Sequence, residues 1–512
     1  MKLKSIYFRI CLIALVILPI YGTAQKKPNI LLFLVDDMGL MDTSVPFLTD
    51  KNGNPQKHPL NDWYRTPNME RLAKLGTRFS TFYAQSVCSP SRASLLTGQN
   101  AARHRTTQWI KPSENNRGEF GPMDWNWKGL KAADNATLPK VLKADGYRTI
   151  FLGKAHFGPL GSEGENPLNL GFDVNVGGGS WGQPGSYLGM DNYKRTKIKP
   201  GILDYQVPNL EKYHGTETFL TEALTLEAKE EIKKAIKSKE PFFLEMSHYA
   251  LHAPFMTDSR FIENYTSMKY GETEQRFSAL VEGMDKSLGD LLDVLNEVGI
   301  AENTLVLFVG DNGSDAPIGN MYQVGSSAPL RGKKGTHYEG GMRVPFIAAW
   351  AKPDVNNIWQ KKLPIVQNAI QEQMGTIMDI YPTILDLLSI ETPKKYAVDG
   401  FSLGENLKGN RNTKKPEMFL MHFPHQHRSS YFTSYRNGDW KLVYHYYPEM
   451  NVEKVKYELF NLSKDPYEQK NLAAVEPAKL KNMVKQMKTR LKKEDALYPI
   501  DSSGESMIPF FE

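Results

Sequence analysis

Short unbroken apolar runs recur along this chain, each ending in a polar cluster and separated from the next by stretches of helical periodicity. Asn29 to Val35 is near-continuously apolar, the pattern of a strand buried on both faces in a parallel sheet. Residues 147–152, 242–247, 304–309 and 344–350 repeat it. Between them helices are predicted. Thr66-Pro67 opens one that Gly76 closes, and others cover residues 137–145, 217–238 and 376–388. Phe277, Leu280, Met284, Leu288, Leu291 and Leu295 recur at three and four residues, giving the longest amphipathic helix, which Gly299 stops. Strands alternating with helices imply an α/β fold with a doubly wound, mostly parallel sheet flanked by helices.

Beyond about residue 410 the pattern changes. Residues 431–447 read as antiparallel strands around Asn437-Gly438, residues 457–462 as another strand, and residues 477–493 as a basic amphipathic helix. The expected organisation is therefore a large α/β domain over 25–410 and a smaller C-terminal α+β subdomain over 411–512, carrying an antiparallel sheet.

The first residues stand outside that pattern. Lys2, Lys4 and Arg9 precede an apolar stretch from Ile10 to Ile20, and Gly22-Thr23-Ala24 is a small-residue cleavage site. Residues 1–24 thus read as a secretory signal peptide cut after Ala24. The apolar stretch is too short to span a bilayer. An exported protein, periplasmic or secreted and without stable membrane association, is expected. Losing the leader lowers the net charge from +6 to +3, too little to argue for nucleic acid. Of the two cysteines, Cys11 leaves with the leader, so Cys88 is the single thiol of the mature chain and has no internal disulfide partner.

Candidate chemistry gathers at the strand ends. The first run ends in Asp36-Asp37, the 147–152 run in Lys154 and His156, the 242–247 run in His248 and His252, and the 304–309 run in Asp311-Asn312. Parallel strands of one sheet place such ends along one edge, where α/β folds bind ligands. Taken alone, Asp36-Asp37-Met38-Gly39 is more readily an ordinary turn than a metal site. Together, Asp36, Asp37, Asp311 and Asn312 are hard oxygen ligands, suited to Ca²⁺ and less to Mg²⁺. Arg92, Lys154, Lys334, His156 and His252 can surround a tetrahedral oxyanion opposite that metal.

The stretch Cys88-Ser89-Pro90-Ser91-Arg92 reads as a turn delivering a cysteine to a helix. Ser89 is the expected N-cap, Pro90 the first helical residue and Gly98 the stop. Trp109, Trp125, Trp127 and Trp181 lie in loops that can rim the pocket and stack on sugar rings, although packing explains them as well. His104 in the same segment, Trp181, and the C-terminal His422, His425, His427 and Arg428 are candidate substrate contacts.

At these residues the chain resembles the formylglycine-dependent (type I) sulfatases of the alkaline phosphatase superfamily. Residues 88–92 match their C-x-P-S-R maturation motif, and Leu96-Thr97-Gly98 matches its second half. The resemblance extends over Asp36-Asp37, Gly153 to His156, His252-Ala253-Pro254, Asp311-Asn312-Gly313, Glu339-Gly340-Gly341, Glu458 to Leu462 and Asp465-Pro466. It implies that a maturation enzyme oxidises Cys88 to formylglycine (3-oxoalanine). The hydrated aldehyde would attack sulfur, form a covalent sulfate ester and eliminate sulfate. It further implies Ca²⁺ held by Asp36, Asp37, Asp311, Asn312 and the Cys88-derived group, with Arg92 holding the latter. Lys154 and Lys334 would bind sulfate oxygens, His156 would assist the elimination, and His252 would be the general acid for the leaving alcohol. Lys334 is preferred over Lys333 because it precedes Gly335, and His252 over His248 because it precedes Ala253-Pro254. The implied activity is hydrolysis of a sulfate ester on a poly- or oligosaccharide. The alternatives are a phosphodiester or phosphonate monoester hydrolase of the same superfamily, or a non-catalytic glycan-binding module on the same fold.

Overall fold

A computed structural model describes residues 26–133, 136–266 and 270–511. The expected signal peptide and its cleavage site lie outside the described residues. Among the described residues, the strands in chain order are β1 (Asn29–Val35), β2 (Gly76–Phe79), β3 (Phe82–Tyr83), β4 (Arg148–Gly153) and β5 (Val174–Val176). They continue with β6 (Phe242–His248), β7 (Thr304–Gly310), β8 (Phe346–Trp350), β9 (Ala369–Gln371) and β10 (Gly375–Thr376). The last are β11 (Met418–Phe423), β12 (Phe432–Asn437), β13 (Trp440–His445) and β14 (Tyr457–Asn461).

Eight of them form one sheet in the order β5-β4-β6-β1-β7-β8-β2-β9. β5, β4, β6, β1 and β7 run parallel, whereas β8 runs antiparallel to both β7 and β2. The sheet is thus mostly parallel, as its apolar runs predict. The direction of β8 is invisible in its pattern, because a strand buried on both faces is apolar whichever way it runs.

Successive side chains of β1 face opposite sides. Leu31, Phe33 and Val35 join a core with the helices Leu220–Ser238 and Glu272–Glu297. Ile30, Leu32 and Leu34 join a second core with Ala93, Leu95 and Leu96 of the helix Cys88–Thr97, and with the helices Leu138–Ala144 and Ile380–Leu388. Helices therefore cover both faces.

The helix Cys88–Thr97 begins two residues earlier than expected. Val87, not Ser89, is its extended N-cap, while Gly98 (φ 66) closes it in the left-handed region as predicted. Ser89 instead accepts the Ile110 amide at 3.1 Å, tying the helix start to a pocket-lining loop.

β11 to β14 form an antiparallel sheet in sequence order, and β11 is a strand the pattern did not single out. The helix Pro477–Lys493 packs Leu480, Met483, Val484, Met487 and Leu491 against one face. On the other, Phe419, Met421, Phe423, Phe432 and Val443 share a cluster with Tyr83, Val87, Met342, Met374 and Met378 from earlier in the chain. The two parts thus meet through a common apolar core, with Val87 beside Cys88 inside it.

Candidate active site

β4, β6, β1 and β7 are neighbours in the sheet, and their carboxyl ends are level: Val35 pairs with both His248 and Gly310, and Gly153 with Ser247. The polar residues that follow each strand consequently converge. Asp36, Asp37 and Cys88 offer ligand atoms that all lie within 4.8 Å of one another. Asp311 joins them through its Oδ1, which accepts the Asp37 amide at 3.0 Å. Asn312 donates its Nδ2 to Asp37 Oδ1 at 2.9 Å.

Every member of this cluster is buried, so the charges must compensate one another. Lys154 Nζ lies 2.6 Å from Asp36 Oδ2, and Lys334 Nζ 2.6 Å from Asp37 Oδ1. Arg92 is fully enclosed: Nε donates to Asp311 Oδ2 at 2.9 Å, and one terminal nitrogen donates to Lys154 O at 2.5 Å and Ser247 Oγ at 2.7 Å. Burial raises the Asp36 carboxyl above its usual range against the pull of Lys154, and raises Asp311 to about 6 with help from Asp36. Burial also opposes ionisation of Asp37, but Lys334 and His252 hold it well below the usual range. Burial pushes the Cys88 thiol up to about 11 despite Lys154 and Lys334.

Asp36 Oδ1 and Asn312 Oδ1 are buried oxygens with no hydrogen-bond partner. Unpaired buried acceptors are costly, and a cation among Asp36, Asp37, Asp311 and Asn312 would satisfy both. The all-oxygen protein set fits a hard ion. A second cluster, His337, His445 and Glu458, reads differently. Glu458 Oε1 lies 2.9 and 2.8 Å from the two Nε2 atoms, and Tyr338 donates to Oε2 at 2.9 Å. That carboxylate already accepts from His445 and Tyr338, and no fourth His, Cys, Asp or Glu joins the group among the described residues.

The two histidines flanking the cluster are fixed by carbonyls. His156 Nε2 lies 2.6 Å from Ile110 O and so carries the proton, since a carbonyl only accepts; its Nδ1 is buried without a partner. Burial, then Lys154, push this imidazole well below its usual range, leaving a neutral base. His252 Nδ1 likewise donates to Ala253 O at 2.9 Å, and its Nε2 lies 3.7 Å from Asp37 Oδ2. Burial and Lys334 push it down to about 4.

Above the cluster is a cavity of about 350 Å³. Cys88, His156, His252 and Lys334 form its floor, and Trp109, Tyr205, Gln183, Asp315, His427 and Arg428 are among its walls. Arg428 forms a two-pronged pair with Asp315 at 2.6 and 2.9 Å, and also donates to Lys334 O at 3.1 Å. Asp315 and Tyr205 escaped the sequence reading. Asp315 follows Asn312 by three residues, but nothing in the pattern ties it to Arg428.

Several expected substrate contacts need correction. His104 is buried behind the Cys88 helix, with Nε2 on Ser94 Oγ at 3.0 Å and Nδ1 accepting the Thr106 amide. His422 bridges Thr433 Oγ1 and Leu497 O, and His425 bridges Thr107 Oγ1 and Arg117 O. With both ring nitrogens occupied inside the protein, these three histidines are structural. Trp181 is bonded to Gln206 O and packs on Tyr205 with ring centroids 5.0 Å apart, so Tyr205 is the ring that lines the cavity. Trp125 is buried against His425. Trp109 and His427 do line the cavity, as does Arg428. His248 is enclosed, its Nε2 on Ser287 Oγ at 2.9 Å, and takes no part in the pocket.

Known proteins resemble this chain in sequence and fold. The family model described as Sulfatase matches residues 28–390, and that described as N-sulphoglucosamine sulphohydrolase, C-terminal, matches residues 333–496. A protein named Sulfatase from Formosa agariphila is 29% identical over 92% of this chain and 90% of its own length. The N-acetylgalactosamine-6-sulfatase of Canis lupus familiaris is 32% identical over 77% of this chain and 68% of its own. The crystal structure of Ps i-CgsB in complex with k-i-k-neocarrahexaose superposes with a TM-score of 0.68, at 25% identity, over 91% of this chain and 93% of that one.

Proposed function

The chain belongs to the sulfatase family and is a sulfuric ester hydrolase, and on that premise we propose that it removes sulfate from a carbohydrate hydroxyl. The observation that carries the site assignment is the convergence of Asp36, Asp37 and Cys88 beside two unpaired buried oxygens, walled by Lys154, Lys334 and Arg92. Cys88, after conversion by a maturation enzyme to formylglycine, is the nucleophile's source. Asp36, Asp37, Asp311 and Asn312 hold Ca²⁺. Bound there, the ion would offset the carboxylates and favour the ionised form of the nucleophile.

The chain's own groups do the rest. Lys154 and Lys334 stand beside the nucleophile and bind sulfate oxygens, where developing charge is met in a site shielded from water. Arg92 fixes Asp311, and its second terminal nitrogen, without a hydrogen bond, lies 3.8 Å from Asp36 Oδ1. His156, neutral with a free Nδ1, accepts the nucleophile's proton. His252, its Nδ1–H held by Ala253 O, takes up a second proton at Nε2 from solvent when the anionic sulfate ester binds beside it, and delivers that proton to the leaving alcohol.

For the leaving group we infer a galactose-type sugar, supported by the N-acetylgalactosamine-6-sulfatases, with an oligosaccharide supported by the neocarrahexaose complex. Trp109 and Tyr205 offer stacking faces, and the Asp315–Arg428 pair offers acceptor and donor to adjacent hydroxyls. The reaction takes place outside the cytoplasm, on the reading of residues 1–24 as a leader. Among the described residues no helix is long and apolar enough to cross a membrane.

Two measurements test this. Mass spectrometry of the Cys88 peptide from natively matured protein should find the aldehyde; an unmodified thiol would favour a glycan-binding module. A screen of sulfated galactose-type saccharides should release sulfate. Faster turnover of an aryl phosphodiester than of an aryl sulfate would favour the phosphodiesterase alternative.

A further inference from the structure

Tyr187 comes from the segment after β5 and is fully buried. Its hydroxyl lies 2.8 Å from Tyr249 O and 2.8 Å from His252 O, sharing one proton between two carbonyls. These carbonyls bracket the turn that carries His252, which is closed by the His252 amide donating to Tyr249 O at 3.0 Å. The turn is also bonded to the main chain of Asp36. The Asp36 amide donates to Ala250 O at 2.9 Å, and the Leu251 amide to Asp36 O at 2.6 Å. The turn is therefore held between Asp36 and Tyr187.

The geometry points to Tyr187 as a positioning residue for His252, an inference that rests on the proton-donor role proposed above. His252 orients its ring through its own chain, by donating Nδ1–H to Ala253 O. The ring's aim thus follows the peptide planes of residues 249–253, and Tyr187 is the side chain that fixes two of them. Its ring is held independently by stacking on Phe219, with centroids 5.4 Å apart and planes 17° from parallel. Tyr187→Phe therefore removes the hydroxyl while leaving the ring packed. Two buried carbonyls lose a donor and the turn gains freedom. A displacement of about 1 Å at an acid–base group costs up to about 100-fold in rate.

A proton donor matters most when the leaving group is a poor one, which separates aiming His252 from general damage to the site. The probes are aryl sulfates of graded leaving-group acidity, from 4-nitrophenyl to 4-methoxyphenyl sulfate. In Tyr187→Phe, kcat/KM should fall about tenfold or more for 4-methoxyphenyl sulfate and less than about threefold for 4-nitrophenyl sulfate. His252→Ala should show the same ranking, and the double variant should be no worse than His252→Ala alone. Independently of turnover, amide exchange at Leu251 and His252 should speed up in Tyr187→Phe while thermal unfolding shifts little. A uniform loss across the series, additive effects in the double variant, or unchanged exchange at residues 249–253 would each overturn the assignment. If the parent protein released no sulfate from any probe, the proposed function would be at fault, and the exchange measurement would still decide Tyr187.

Discussion

Lys154 Nζ sits 2.6 Å from Asp36 Oδ2, with both side chains fully enclosed. A buried carboxylate stripped of its cationic neighbour costs about 3–5 kcal/mol; Arg92, 3.8 Å from Asp36 Oδ1, would offset part of that loss and a bound metal ion the rest. Lys154→Ala should therefore destabilise the calcium-free protein strongly and the calcium-loaded protein much less. Thermal unfolding with chelator and with added Ca²⁺ checks this. The calcium-induced rise in Tm is expected to be larger in the variant than in the parent, and an equal or smaller rise would refute the shared site. Sulfate release should be nearly abolished in both conditions.

Arg428 holds Asp315 with two parallel hydrogen bonds and Lys334 O with a third. Lysine cannot reproduce a planar two-pronged contact. Arg428→Lys should raise KM for a sulfated saccharide by about tenfold or more, equivalent to about 1.4 kcal/mol. Turnover of a small aryl sulfate, which has no neighbouring hydroxyls to recognise, should change far less. Steady-state kinetics on both substrates test the difference, and equal losses would argue against sugar recognition by this pair.

Glu245 lies mid-strand in β6, between Leu32 and Phe151 in register, and neither carboxyl oxygen has a hydrogen-bond partner. Burial pushes it up to about 8, with Arg92 the only charge pulling it down. The folded protein thus keeps a proton there that the unfolded chain, with an ordinary value of 4.5, releases. The resulting stability is fully present below pH 4.5 and is lost as pH rises through about 8. Glu245→Gln cannot ionise. It should match the parent near pH 5 and exceed it by about 1–4 kcal/mol near pH 9 in urea unfolding. Parallel pH profiles would show that Glu245 is not the titrating group.

Lys441 on β13 is buried between Glu339, at 3.1 Å, and Glu468, at 2.6 Å. Glu339 belongs to the large domain and also accepts Tyr83 OH at 2.7 Å. Lys441→Met would leave two acidic side chains facing each other and should cost about 3–5 kcal/mol. Because Val87 and β11–β13 share one apolar cluster, unfolding should remain a single transition in which both parts melt together. Two separated calorimetric transitions would instead mark residues 411–512 as an independent unit.

Much of the candidate site's convergence was legible in the sequence because its parts are tied to strand ends. Asp36-Asp37, Lys154, His156, His252 and Asp311-Asn312 each come within about five residues after an apolar run, and parallel neighbours bring such ends level. His104, His422 and His425 misled for the opposite reason. A histidine in a loop carries no mark of whether its nitrogens face solvent or a buried hydroxyl and carbonyl. Tyr187 and Asp315 were missed because their partners, at His252 and Arg428, lie 65 and 113 residues away.

Local order along the chain determined what was available: the apolar runs, the helices between them, the cysteine at a helix start and the donor types at each strand end. Strand order, the reversed direction of β8 and the seating of the C-terminal sheet over Val87 were decided only in three dimensions. Periodicity reports which faces are buried but not against what. The same holds at the centre of the site. Sequence put two carboxylates after β1, and only folding set one against Lys154 and the other against Lys334, because charges taken out of water must find partners wherever the fold brings them.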